Sequence, residues 1–285
     1  MSEIKFDYAQ IGGVKLHYAT SGDGERLVVL LHGFPEFWYS WRHQLAALGD
    51  EFTVVAPDLR GYHWSDKPAH VADYKLEKLV DDVLGLIRHF RHEKAAIVGH
   101  DWGAAIAWSI AENHPEAVSK LVCMQVPPMS VWVRNLTFRQ ALASWHMYFF
   151  QIPVLPELIF RQGDFALAER LFRRLAADPE FFSAEEIEKY KDAWREPGAL
   201  TAAINYYRAN TLDLFFKRRE SGKIKVPTLF IYGEKDSAIL PETVRNVKEA
   251  VEAEYEEVRI PDSGHWVQQE AADAVNDTLL EFLSK

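Results

Sequence analysis

Residues 95–108 read AAIVGHDWGAAIAW. Ala95–Val98 is a short apolar strand-like run, and from Gly103 onward apolar residues recur at helical spacing. A strand therefore gives way to a helix within Gly99-His100-Asp101-Trp102-Gly103. Small residues two positions either side of Asp101 suit a tight strand–turn–helix elbow, which lifts its central side chain above a sheet at a helix N-terminus. Taken alone, Asp101 could equally cap that helix, a common role for aspartate.

The surroundings extend the pattern in both directions. Arg26–Leu31, Phe52–Pro57 and Ala117–Val126 read as buried strands, and Ser40–Leu48, Leu76–Phe90 and Gly103–Asn113 as helices. Such alternation implies an α/β fold with a parallel sheet covered by helices on both faces. After Pro127-Pro128 the chain reads as aromatic-rich helices without a strand, as far as Lys217. The strand–helix rhythm then resumes with Pro227–Tyr232, a helix over Glu242–Val251, a strand at Glu256–Ile260 and a last helix at Ala274–Leu283. The expected organisation is a core of residues 1–127 and 218–285, interrupted by a helical cap over 128–217. An insertion joins where strands end, and in parallel sheets ligands bind at that carboxyl edge, so the cap is a candidate lid.

Composition narrows the class. The 285 residues carry 32 Lys+Arg and 42 Asp+Glu, a net charge of −10, with no basic run, which excludes nucleic acid as an expected partner. Cys123 is the single cysteine, so neither an intramolecular disulfide framework nor a cysteine-cluster metal site is available. No stretch has the length of a membrane span and the charged N-terminus lacks a signal-peptide pattern, so the reading is a cytoplasmic protein with no membrane partner. Oligomeric state is not legible, and a homodimer stays open. Aromatics number 37, and 17 of them fall in residues 126–216.

Two further segments give Asp101 company. Tyr232-Gly233-Glu234-Lys235-Asp236 puts a carboxylate just past a late strand, and Asp262-Ser263-Gly264-His265-Trp266 puts a histidine beyond the last one. Nucleophile, acid and histidine in that order are the chain order of the α/β-hydrolase fold triad. His32-Gly33-Phe34-Pro35 follows the strand RLVVLL; in this fold the backbone N–H groups of Phe34 and of Trp102 would form an oxyanion hole.

The chain resembles the α/β-hydrolase fold epoxide hydrolases over nearly its whole length. The resemblance rests on HGFPEFWYSWRHQL at 32–45, PDLRGYHWSDKP at 57–68, GHDWGAAIAW at 99–108, NYYRA at 205–209 and SGHW at 263–266. An aspartate nucleophile fits that activity. Serine attacking an sp³ carbon leaves an ether, whereas a carboxylate leaves an ester that water can cleave. Asp101 would open the epoxide, and His265, oriented by Asp236, would activate the water, with no metal or organic cofactor. The partners are then a small epoxide and water.

The resemblance also implies two cap donors for the epoxide oxygen. One matches Tyr207; Tyr206 points about 100° away on the same helix and packs. The other position holds His146, where the family usually has tyrosine and a minority of relatives pair a histidine with the tyrosine. Tyr148 is the alternative donor, on the nearly opposite side of the helix. Phe37, Trp38, Tyr148 and Trp266 are expected to line an apolar or aryl substrate. His100, His89, His92 and Cys123 read as structural or surface groups.

Haloalkane dehalogenases share the Asp nucleophile and could hold halide with the Trp102 indole, but their second donor is often an Asn where this chain has Phe34. Trp132, Trp145 and Trp194 are the remaining candidates. Fluoroacetate-type haloacid dehalogenases clamp a carboxylate with arginines at the positions here held by Trp102 and Ala105, neither of which can form that ion pair. A catalytically silent binding protein is a third reading, and the complete set Asp101, Asp236 and His265 argues against it.

Overall fold

The computed structural model describes residues 3–216 and 222–285. Eight strands form one sheet: β1 (Lys5–Ile11), β2 (Val14–Ser21), β3 (Leu27–Leu31), β4 (Thr53–Pro57), β5 (Ala95–His100), β6 (Val118–Met124), β7 (Thr228–Gly233) and β8 (Tyr255–Ile260), in the order β1-β2-β4-β3-β5-β6-β7-β8. From β4 to β8 every neighbouring pair is parallel. The β1–β2 hairpin runs antiparallel at one edge, continuing through β2 against β4. That hairpin goes beyond the strands read from the sequence. Its outer strand β1 is mostly exposed and lacks the fully buried apolar signature of the others.

The central strands are buried on both sides, so successive residues feed two separate cores. Val29, Leu31, Ile97, Leu121 and Phe230 face one core with α2 (Leu76–His89) and α3 (Trp102–Asn113). Val28, Leu30, Val98, Val122 and Ile231 face the other. There they meet α1 (Arg42–Leu48) and the last helix of the chain, Ala272–Ser284.

Between β6 and β7 lie only helices among the described residues: α4 (Met129–Arg134), α5 (Phe138–Ala143), α6 (Trp145–Phe149), α7 (Leu155–Leu175), α8 (Ala184–Arg195) and α9 (Ala199–Phe216). They correspond to the expected cap, whose far junction with the core at 217 and 218 lies outside the described residues. α7 is kinked over Gln162–Phe165, where three consecutive residues have positive φ. The α8 start has a full capping box, with Ser183 and Glu186 satisfying each other's backbone N–H.

After β7 the structure departs from expectation. Glu242–Val251 is not an α-helix; only Val247–Ala250 is helical, as a single 3₁₀ turn. Asn246 sits in the left-handed region immediately before it, which interrupts any continuous helix. The chain ends with α10 (Val267–Glu270) and α11 (Ala272–Ser284). No helix of the described residues is long and apolar enough to cross a membrane.

Candidate active site

Four loops at the carboxyl edge of the sheet meet in one place, after β3, β5, β7 and β8. Asp101 follows β5 with φ 52° and ψ −117°, a strained conformation for a residue with a β-carbon. The elbow is held closed by close backbone approach. A β-carbon at Gly103 would fall on the Leu31 carbonyl, and one at Gly33 would fall on the Asp101 side chain. Asp101 does not cap α3, since its side chain makes no capping bond. Its Oδ1 instead accepts the Phe34 N–H at 2.9 Å. The Trp102 N–H, first of α3, has no helical acceptor by position.

His265 stands opposite. Its Nε2 is 3.8 Å from Asp101 Oδ2, beyond hydrogen-bond reach, and its Nδ1 is 2.8 Å from Asp236 Oδ2. The other Asp236 oxygen accepts the N–H groups of Ala238 and Ile239 at 2.7 and 3.0 Å, which fixes the carboxylate. Burial pulls the His265 pKa down, but Asp236, then Asp101 and Glu36, outweigh it and raise the value to about 9. Asp101 keeps 16% side-chain exposure and His265 3%, so the carboxylate is reachable while the imidazole is enclosed.

The raised His265 pKa carries a stability consequence. A cation favoured by the fold contributes stability fully below its ordinary value of 6.5 and loses it as pH rises through about 9. The melting temperature should therefore fall across that window, by the equivalent of about 1–3 kcal/mol. The His265→Gln variant should flatten the slope; an unchanged slope in that variant would assign the effect elsewhere.

Behind the triad lies a carboxylate to which the sequence reading assigned no role. Glu36 is fully buried and accepts from Gly33 N at 3.1 Å and His100 Nδ1 at 2.8 Å. Its second oxygen accepts from the amides of Gln268 and Gln269 at 2.9 and 3.1 Å. His100 in turn donates Nε2–H to the His265 carbonyl at 2.8 Å. One buried carboxylate, with His100 against it, thus joins the Phe34 loop, the elbow and the histidine loop. Burial works against the Glu36 charge, yet His100, then His32 and the Gly33 N–H, hold its pKa below the usual value. Glu270 does similar work nearer the cap, accepting N–H groups from Gly264, Trp266 and Ala177. The signal for Glu36 was its place directly after His-Gly-Phe-Pro, but a lone loop glutamate shows nothing of its burial.

From the cap, Tyr207 reaches down onto this floor. Its ring meets Trp102, Phe34 and His146 edge-on, with centroids 5.3, 5.3 and 5.4 Å away. Burial first, and Asp101 second, push its pKa well above the usual range, so it stays a phenol donor. His146, on α6, is held at about 4, chiefly by burial and then by His265, with an Ala143 backbone bond opposing. A neutral imidazole carries one N–H, so His146 donates to the site only in the tautomer protonated on that side. Tyr206 packs as expected, its hydroxyl donating to the Arg60 carbonyl at 2.7 Å.

A cavity of about 350 Å³ opens between cap and core, walled by Phe34, Tyr62, His146, Phe150, Trp194 and Trp266 among others. Trp266 is fixed by its indole N–H on the Phe172 carbonyl and by stacking on that ring at 4.2 Å. Three other expected lining residues are not on this wall. Tyr148 is 49% exposed, because the half-turn separating it from His146 carries it to the outside of α6. Phe37 and Trp38 follow the Phe34 loop, but the chain turns away there. Phe37 packs on His63 and Tyr190, and Trp38 packs on Phe6 while its N–H bonds Asp58.

His17, Asp58 and His63 are the three-residue group nearest to a metal-ligand set among the described residues. Both imidazole Nδ1 atoms already address one Asp58 oxygen, at 2.6 and 2.8 Å, and Lys67 places its ammonium against the His63 carbonyl. Two histidine protons satisfy that carboxylate, and the neighbouring cation disfavours a second positive charge.

Known proteins resemble the chain closely. A profile of the alpha/beta hydrolase fold family matches residues 26–272. The AB hydrolase superfamily protein YfhM of Bacillus subtilis (strain 168) is 37% identical over 288 residues, covering 99% of both chains. Epoxide hydrolase 4 of Mus musculus is 38% identical over 280 residues, 96% of this chain and 77% of that protein. Among solved structures, an epoxide hydrolase of Bacillus megaterium in complex with an inhibitor superposes with a TM-score of 0.87 at 30% identity, covering 98% of this chain and all of that one.

Proposed function

The chain belongs to the epoxide hydrolases of the alpha/beta hydrolase fold family, and from that premise we propose that it converts apolar or aryl epoxides to vicinal diols through an ester on Asp101. The observation that carries this reading is a carboxylate at the elbow with Tyr207 and His146 on its cap side and His265 3.8 Å from it.

An Asp101 oxygen attacks an epoxide carbon and the carbon–oxygen bond breaks. Tyr207 or His146 gives a proton to the departing oxygen, and the product of this step is a hydroxyalkyl ester. Esterification removes the Asp101 charge, one of the groups that hold the His265 pKa up. The first step therefore weakens the hold on the His265 proton before the second, although Asp236 still favours the charged form. His265 takes a proton from water as its oxygen adds to the Asp101 carbonyl, and the oxyanion is stabilised by the Phe34 and Trp102 N–H groups. Collapse expels the diol with one Asp101 oxygen as His265 hands its proton to the leaving oxygen; the water oxygen stays on Asp101, and the proton still on that carboxyl restores the cap donor.

That oxygen balance gives the test. In a single turnover in ¹⁸O-water, the diol should emerge unlabelled and the label should appear in Asp101. Label in the first diol would mean direct attack by water and would end the covalent reading. A panel of epoxides beside haloalkanes, scored for diol and for released halide, separates this activity from dehalogenation. Of the candidate tryptophans, Trp194 offers no halide donor, since its indole N–H is already donated to the Pro35 carbonyl at 2.7 Å. Walls of phenylalanine, tryptophan and leucine suit an apolar substrate and exclude water from the ester.

A further inference from the structure

Among the described residues, fifteen large hydrophobic side chains are exposed, and ten of them fall between Val133 and Leu158. This stretch is the outer part of the cap, from α4 into the start of α7. Phe138 is 78% exposed, Val154 61% and Leu158 58%. Phe138 and Leu142 lie one turn apart on α5, and Trp145 opens α6. Leu142 and Trp145 also line the cavity, so the exposed apolar surface continues into the active-site mouth. Exposed hydrophobics scattered singly are ordinary; a concentration around a cavity mouth marks an interaction surface.

Charge identifies the occupant. The chain carries −10, yet residues 127–175 contain six Arg, no Lys and three acids. Arg134, Arg139 and Arg173 are answered by Glu249, Glu242 and Glu169. Arg161, Arg170 and Arg174 form no ion pair among the described residues, and Arg174 lines the cavity with Leu142 and Trp145. An unpaired arginine beside exposed leucine and tryptophan at the cavity mouth is the composition of a surface that lies in a headgroup layer.

We propose that the outer face of the cap, centred on the cavity mouth, docks on an anionic lipid layer. Phe138, Leu142, Trp145 and Leu158 enter the acyl boundary while the arginines meet the headgroups. The contact is peripheral and needs no spanning helix. A second copy fits this face poorly, because a two-fold contact would gather the same unanswered arginines twice at one interface. An apolar epoxide dissolved in lipid would then reach Asp101 without crossing bulk water; that consequence rests on the epoxide reading, whereas docking does not.

The test uses the whole protein without substrate, sedimented with large vesicles of phosphatidylcholine carrying about one-third phosphatidylglycerol, and with pure phosphatidylcholine. Wild type should pellet with the anionic vesicles, several-fold less with neutral ones, and less again at high salt. The Phe138→Ser/Leu158→Ser variant should bind at least about tenfold more weakly. Both positions lie off the cavity wall, so its melting temperature and its turnover of a dissolved epoxide should be unchanged. Wild type remaining in the supernatant, or the double variant binding equally, overturns the proposal. So does light scattering that shows a wild-type dimer made monomeric by the two substitutions. Vesicle binding and epoxide turnover are scored separately, so failure of one is not mistaken for failure of the other.

Discussion

Given a slowly hydrolysed aryl epoxide, the His265→Gln variant should form the Asp101 ester and stop there. Glutamine keeps a donor towards Asp236 Oδ2, now 2.8 Å from the imidazole, but cannot take a proton from water. Alkylation needs only Asp101 and the cap donors, so it should proceed while hydrolysis of the ester falls by about 10²–10⁴-fold. Intact mass spectrometry should show one epoxide added per protein with no loss of atoms, and peptide mapping should put it on residues including Asp101. Asp101→Ala should give no adduct and no diol. Normal turnover by His265→Gln, or an adduct on another residue, would dismantle the assignment of nucleophile and base together.

The second large effect concerns the acids. Tyr207→Phe removes a hydroxyl held in its protonated form by burial and by Asp101. His146→Ala removes a neutral imidazole, which donates to the site only in the tautomer that does not spend its N–H on the Ala143 backbone. Alkylation, followed by the tryptophan fluorescence of Trp102 beside Tyr207, should slow more for Tyr207→Phe than for His146→Ala. The double variant should lose about 10³-fold or more, since an alkoxide would have to leave unprotonated into an apolar cavity. Tyr148→Phe should stay within about twofold of wild type, as a surface substitution. Unimpaired His146→Ala together with inactive Tyr148→Phe would reverse the choice of donor.

How legible these roles were depended on where their signals reside. The strands with runs such as LVVLL carry their own evidence, because residues buried on both faces must be apolar throughout. β1 does not: its KFDYAQI is mostly exposed and is held by pairing with β2, a contact that sequence periodicity shows only faintly. In the same way, Asp101, Asp236 and His265 are legible as a candidate set because each follows a strand in a recognisable order. Phe37 and Trp38 are close to Phe34 in sequence but not to the cavity in space, since they pack on His63, Tyr190 and Phe6 instead. Glu36 was passed over for the opposite reason, since its four-way hydrogen bonding across residues 33, 100, 268 and 269 exists only after folding.

On the proposed mechanism, the placement of the helices α4–α9 between β6 and β7 divides the reaction between two inheritable parts. The core supplies Asp101, Asp236, His265 and the oxyanion donors, and the cap supplies Tyr207, His146 and most of the cavity wall. A cap grafted from a relative would therefore exchange substrate choice and leaving-group acid in one move, leaving ester hydrolysis untouched. The cap cannot simply be excised, because β6 and β7 are parallel neighbours and their join must cross over the sheet. Any replacement needs a dozen or more residues of crossover to return the chain to Thr228. A minimal core of that kind would retain a nucleophile and a base, but no cap donor to help open the ring.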